Sequence, residues 1–109
     1  GTPSTLEING QCERVTTWAQ LCDVFVRWLI DNEKLNAHRL PVYNAAGRGK
    51  CFIATTPEHA DSTKKANWHR VGDVYVDTKY NGDAHIRNLL STLDALGMGD
   101  LRMRIAVDA

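Results

Sequence analysis

The sequence predicts a single α+β domain, an antiparallel-rich sheet of about five short strands with two amphipathic helices on one face, in the order ββ-α-β-β-α-β. Three observations carry that expectation. Two segments repeat apolar residues at three- and four-residue spacing. The runs around them alternate, or are rich in β-branched and aromatic residues. Glycine, asparagine and proline punctuate the gaps. With 109 residues, 43% hydrophobic and 24% charged, the chain has ordinary globular composition and can bury about two thirds of its unfolded surface.

The first element is a hairpin. In "LEINGQCERV", Asn9-Gly10 supplies the two positive-φ residues of a type I′ turn. "TTWAQLCDVFVRWLIDNEK" is a helix capped by Thr17, with Gln20 placed to reach back in a capping box. Trp18, Leu21, Cys22, Phe25, Trp28 and Leu29 form its apolar face, opposite Asp23, Arg27 and Asp31. "KCFIATT" reads as a strand, "PEHADSTKKANWHR" as a polar loop, and "VGDVYVDTKY" as one further strand. The second helix lies in "NGDAHIRNLLSTLDALG". Asn81 or Asp83 caps it, Ile86, Leu89, Leu90, Leu93 and Leu96 form its stripe, and Gly97 offers a left-handed stop. "LRMRIAV" closes the sheet, with Leu101, Met103, Ile105 and Val107 inward and Arg102 and Arg104 on an exposed face.

"GTPST" before Leu6 fits a cloning remnant, which would make residues 1–109 one small domain excised from a larger protein. No apolar run approaches the roughly 18 residues of a membrane span. Cys12, Cys22 and Cys51 are odd in number and scattered, which predicts free thiols in a reducing cytoplasm and no zinc knuckle. Cys22, inside the first apolar stripe, reads as a small core residue.

Charge is uneven although the net is zero. From His38 to Arg70 six lysines and arginines face two carboxylates, a net +4, while each flank carries −2. The basic middle holds "NAAGRGKCF", which looks at first like a phosphate cradle. A nucleotide loop of that kind needs a leading glycine, a Ser or Thr after the lysine, and a following helix. Here Asn44 and Cys51 stand in the first two places and a strand follows, so the nucleotide reading fails.

Two readings of this loop remain. In one, Gly47 and Gly49 simply let the chain turn, with Arg48 and Lys50 solvated. In the other, the glycines present two cations to a nucleic-acid backbone, where phosphate contacts dominate affinity. The candidate interface is Arg48, Lys50, Lys64, Lys65, Trp68, His69 and Arg70. The cations would meet phosphates and Trp68 would stack on a base, or else Trp68 anchors a long loop onto the core.

Catalysis and cofactors find no support in the sequence. His59 and His69 lack metal-pair spacing, and His85 reads as a helix-surface residue. Asp73 and Asp77 have no basic partner at nuclease spacing, and no serine sits in an elbow motif. The stretches "INGQCERVTTWAQLCDVFVRWLID" and "GDVYVDTKYNGDAHIRNLLSTLDALGMGDLRMRIAV" resemble small accessory domains attached to prokaryotic restriction- and defence-type nucleases and related multidomain proteins. That resemblance covers about two thirds of the chain and omits the basic middle. It implies an attached module in a DNA-processing system, with no catalytic residue to carry over. The expectation is therefore a non-catalytic nucleic-acid-binding or target-sensing domain with parent-protein domains as further partners. The alternative is a protein-interaction or oligomerisation module docking through its sheet face.

Overall fold

A computed structural model describes residues 1–108. It is an α+β fold with seven strands, all paired antiparallel, and two helices. The strands are β1 (Thr2–Ile8), β2 (Gln11–Arg14), β3 (Val42–Tyr43), β4 (Cys51–Ala54), β5 (Trp68–Val71), β6 (Val74–Asp77) and β7 (Met103–Asp108). The helices are α1 (Trp18–Asp31) and α2 (Gly82–Ala95). The strands form two sheets rather than one, ordered β2-β1-β7 and β3-β4-β6-β5.

The first sheet begins with the expected hairpin, Asn9 at φ 49° and Gly10 at φ 83°, which match the right-handed strand twist. β7 returns on the other side of β1, Leu6 facing Ile105 and Ile8 facing Met103. Residues 2–5 belong to this sheet, with Thr2, Pro3 and Thr5 opposite Asp108, Val107 and Ala106. They are part of the fold and not a flanking tail. A bulge at Ser4 offsets the register, and beyond it Val107 is exposed instead of inward. Arg104 keeps its expected exposed position, as does Arg102 just before the strand.

The second sheet joins two hairpins through β4 and β6, Ile53 opposite Val76. Its extra strands come from segments whose sequence signal is weak. β3 has only two residues. "VGDVYVD" is not one strand, because Gly72 at φ 59° starts a two-residue turn between Val71 and Val74, which is where a hairpin requires a glycine.

α1 starts at Thr17, whose hydroxyl accepts from the Gln20 N–H at 3.0 Å. The Gln20 side chain reaches back one residue further than a strict capping box, to the Thr16 N–H at 2.8 Å. α2 starts at Asn81, which accepts from the Ala84 N–H. It ends in a Schellman motif, with Met98 N–H donating to Leu93 O, Gly97 N–H to Asp94 O, and Gly97 at φ 71°.

α1 packs on β1 of the first sheet and on β5 and β6 of the second, so it bridges the two sheets. α2 packs on α1 and β3. Phe25 and Leu29 of α1, Phe52 and Ile53 of β4, Val76, Leu6 and Leu89 make the shared core. Burying each large side chain contributes about 1.5–3 kcal/mol. No described helix is long and apolar enough to cross a membrane.

Candidate nucleic-acid interface

The glycine-rich segment is a hydrogen-bonded loop joining β3 to β4. Asn44 N–H donates to Lys50 O at 3.0 Å, Gly47 N–H to Asn44 O at 2.8 Å, and Lys50 N–H to Gly47 O at 3.2 Å. The Asn44 side chain accepts from the Ala46 N–H at 2.8 Å. Gly47, Arg48 and Gly49 have φ of 70°, 59° and 73°. Glycine occupies two of these left-handed positions without steric cost, whereas Arg48 pays roughly 1–2 kcal/mol for the third. The turn is tethered twice. Ala45 N–H donates to Asn88 Oδ1 of α2 at 2.8 Å. Gly49 O accepts from the Asp61 N–H at 2.9 Å, and a Cβ on Gly49 would lie 2.8 Å from the Asp61 Cβ.

Asp61 therefore clamps this turn to the long 55–67 loop. Its carboxylate accepts from Thr63 Oγ1 at 2.6 Å and from the Thr63 N–H at 3.0 Å. These bonds hold its pKa below the ordinary carboxylate value. Lys64 N–H donates to Asp61 O, closing the next turn, from which Lys64 and Lys65 project into solvent. The clamp brings Arg48, Lys50, Lys64 and Lys65 onto two adjoining turns. Arg48 is exposed, and the Lys50 ammonium lies 5.6 Å from the centre of the Tyr80 ring, within cation–π range.

Beneath the loop lies a buried polar anchor centred on His59. The Cys51 N–H donates to His59 Nδ1 at 2.8 Å, which places the ring proton on Nε2. That nitrogen lies 3.0 Å from Asp77 Oδ2 but off the line of a directed hydrogen bond. Asp77 is fully buried and accepts from Tyr80 Oη at 2.7 Å, from the Asn67 N–H at 2.9 Å and from the Lys79 N–H at 3.1 Å. One carboxylate thus ties both ends of the second hairpin to the loop. Burial first, then the bond to Asp77, raises the pKa of the Tyr80 phenol. With Nδ1 occupied by a backbone N–H, His59 offers no free base and holds the loop in place.

The remaining candidates divide. Trp68 is half-buried, its ring packed 4.8 Å from His59, so it anchors the loop and is not an open stacking platform. His69 points to the other face of β5 and pairs with Asp23 of α1 at 3.3 Å. Arg70 donates to Gly72 O at 3.0 Å. It lines a cleft of about 600 Å³ beside α1 that also carries Glu13, Asp23 and Arg27. Both signs of charge line that cleft. His69 and Arg70 do not join the basic turns.

The stripe expected on α2 is met at Leu89, Leu93 and Leu96, which are buried, but the buried side is rotated away from Leu90 toward His85, Asn88 and Thr92. His85, Asn88, Leu89, Thr92 and Leu93 are buried, while Leu90 is 55% exposed. His85 is a core residue, not a surface one. It lies between the rings of Trp18 and Tyr80, with Nδ1 3.2 Å from Cys22 Sγ. Burial pushes the Cys22 thiol up to about 12 and lowers the His85 pKa. Both effects disfavour a thiolate–imidazolium pair, so this contact is neutral and carries no activated nucleophile. Among the described residues no three His, Cys, Asp or Glu side chains come together as a metal site. The polar row His85–Asn88–Thr92 shares its spacing with Leu89, Leu93 and Leu96, and that shared spacing was the available signal.

No protein-family model, characterised protein or solved structure matches this chain.

Proposed function

We propose that the chain is a non-catalytic nucleic-acid-binding domain that grips the phosphate backbone with Arg48, Lys50, Lys64 and Lys65. One observation carries this reading: Asp61 clamps the two turns bearing these cations through its N–H to Gly49 O. Four cations held on adjoining turns lose less freedom on binding than four on independent loops. The strained backbone at Arg48 supports it too, since such strain clusters at functional positions. The resemblance to accessory domains of restriction and defence nucleases fits this role within a larger DNA-processing protein in the cytoplasm.

Reversing charge at Arg48 and Lys50 together should weaken binding to DNA of any sequence, because phosphate contacts carry no sequence information. Reversing Arg70 should leave binding within about twofold, the effect of a charge outside the contact. Equal losses from the two variants would place the interface elsewhere.

A docking module is the second reading. It is favoured by apolar surface at Leu90, 55% exposed, and Val107, 45% exposed. It requires self-association or partner capture on a sizing column and no DNA shift at low salt.

A further inference from the structure

The β3–β4 turn borders a second cleft, of about 520 Å³, between the 38–44 segment and the C-terminal half of α2. Its lining includes Arg39, Leu40, Tyr43, Asn44, Ser91 and Ala95. The walls are held in place. Arg39 Nη1 donates to Leu96 O at 2.8 Å, and the Ala45 N–H donates to Asn88 Oδ1 at 2.8 Å. The volume falls in the range of small-ligand sites.

Tyr43 stands at the lip with 57% of its surface exposed, the most exposed large apolar side chain among the described residues. The next residue, Asn44, pairs through its N–H with Lys50 O. The exposed ring and the basic turn are therefore the base and tip of one short hairpin. Trp68, by contrast, already spends a ring face on His59.

We propose that this cleft receives an unpaired nucleobase, stacked on Tyr43, while the phosphates beside it run onto Arg48 and Lys50. A base needs an exposed aromatic face, apolar edges and a few donors. Tyr43 supplies the face, Leu40 and Ala95 the edges, and the Ser91 hydroxyl and the free N–H groups of Arg39 the donors. A flat protein surface would leave the concavity unfilled, and a duplex holds its bases out of reach of the ring. The proposal rests on the reading of the basic turns as a phosphate-binding surface, and adds preference for single-stranded or looped nucleic acid.

The test compares two strands with the same phosphates, oligothymidylate and an abasic oligomer of equal length, by fluorescence anisotropy at low salt. The wild-type chain should favour the base-bearing strand. Tyr43→Ala should weaken that strand by about 5- to 150-fold, the value of one stacked base, and leave abasic binding and the salt slope unchanged. Tyr43→Phe, which keeps the ring, should bind like wild type. Ser91→Trp, which fills the cleft from the half-buried edge of α2, should lose the preference while keeping the phosphate contacts. Wild-type binding equal for both strands, or base preference surviving both Tyr43→Ala and Ser91→Trp, overturns the base cleft and leaves the basic turns standing. Wild-type binding to neither strand overturns both.

Discussion

Arg48 stands at φ 59° between two glycines in the same left-handed region, where an arginine is the least comfortable choice. Arg48→Gly should therefore raise stability by up to about 1 kcal/mol in chemical denaturation while weakening nucleic-acid binding. A stability loss would mean that the Arg48 side chain supports the fold. The thiols make an independent check on burial. Cys12 is exposed and Cys22 and Cys51 are buried, so a thiol reagent should titrate one cysteine quickly and the other two only on unfolding. Three fast cysteines would contradict the packing around Cys22 and Cys51. At His85 burial lowers the folded-state pKa, so the unfolded chain takes up a proton more readily than the fold. Stability should then fall as pH drops below about 6.5, the unfolded value, and be fully present above it. His85→Phe, which keeps a ring between Trp18 and Tyr80, should show a smaller drop in urea midpoint between pH 7.5 and pH 5.5. An unchanged drop would show that His85 does not carry the acid sensitivity.

At the scale of elements, the caps and turns were legible because each depends on a few adjacent residues. Asn9-Gly10, Thr17, Asn81 and Gly97 all do what their local chemistry predicts. The orientation of α2 was not. Its leucines allow two overlapping stripes, and simple hydrophobicity prefers the one containing Ile86 and Leu90. Tertiary partners decide for the other, since Asn88 meets the Ala45 N–H and His85 meets Cys22. Leu90 separates these orientations, with Leu89, buried in both, as its reference. Leu89→Ala should cost about 2–5 kcal/mol by leaving a cavity, whereas Leu90→Ser should stay within about 0.5 kcal/mol. A cost at Leu90 as large as that at Leu89 would restore the orientation that hydrophobicity alone suggests, which buries both. β5 was hidden for a different reason. Its four residues follow a polar loop, and only pairing with β6 makes them a strand.

At the scale of the molecule, the division into two sheets and the path of the 55–67 loop depend on contacts distant in sequence. The sequence displayed the basic middle, but not which of its charges would meet. His59 shows why: a histidine in a polar stretch gives no local sign that it will be buried against Asp77 and Trp68. Its burial and the Asp61–Gly49 bond pull Arg48, Lys50, Lys64 and Lys65 together, while the alternation of β5 sends His69 toward α1. The most direct test of this account is the salt dependence of binding to double-stranded DNA. Four phosphate contacts should give a slope of log K against log salt of about −3 to −4. Replacing all four cations with glutamine should bring the slope close to zero and abolish measurable binding at low salt. A wild-type protein that binds no DNA at low salt, or a quadruple variant that keeps the wild-type slope, would contradict the account.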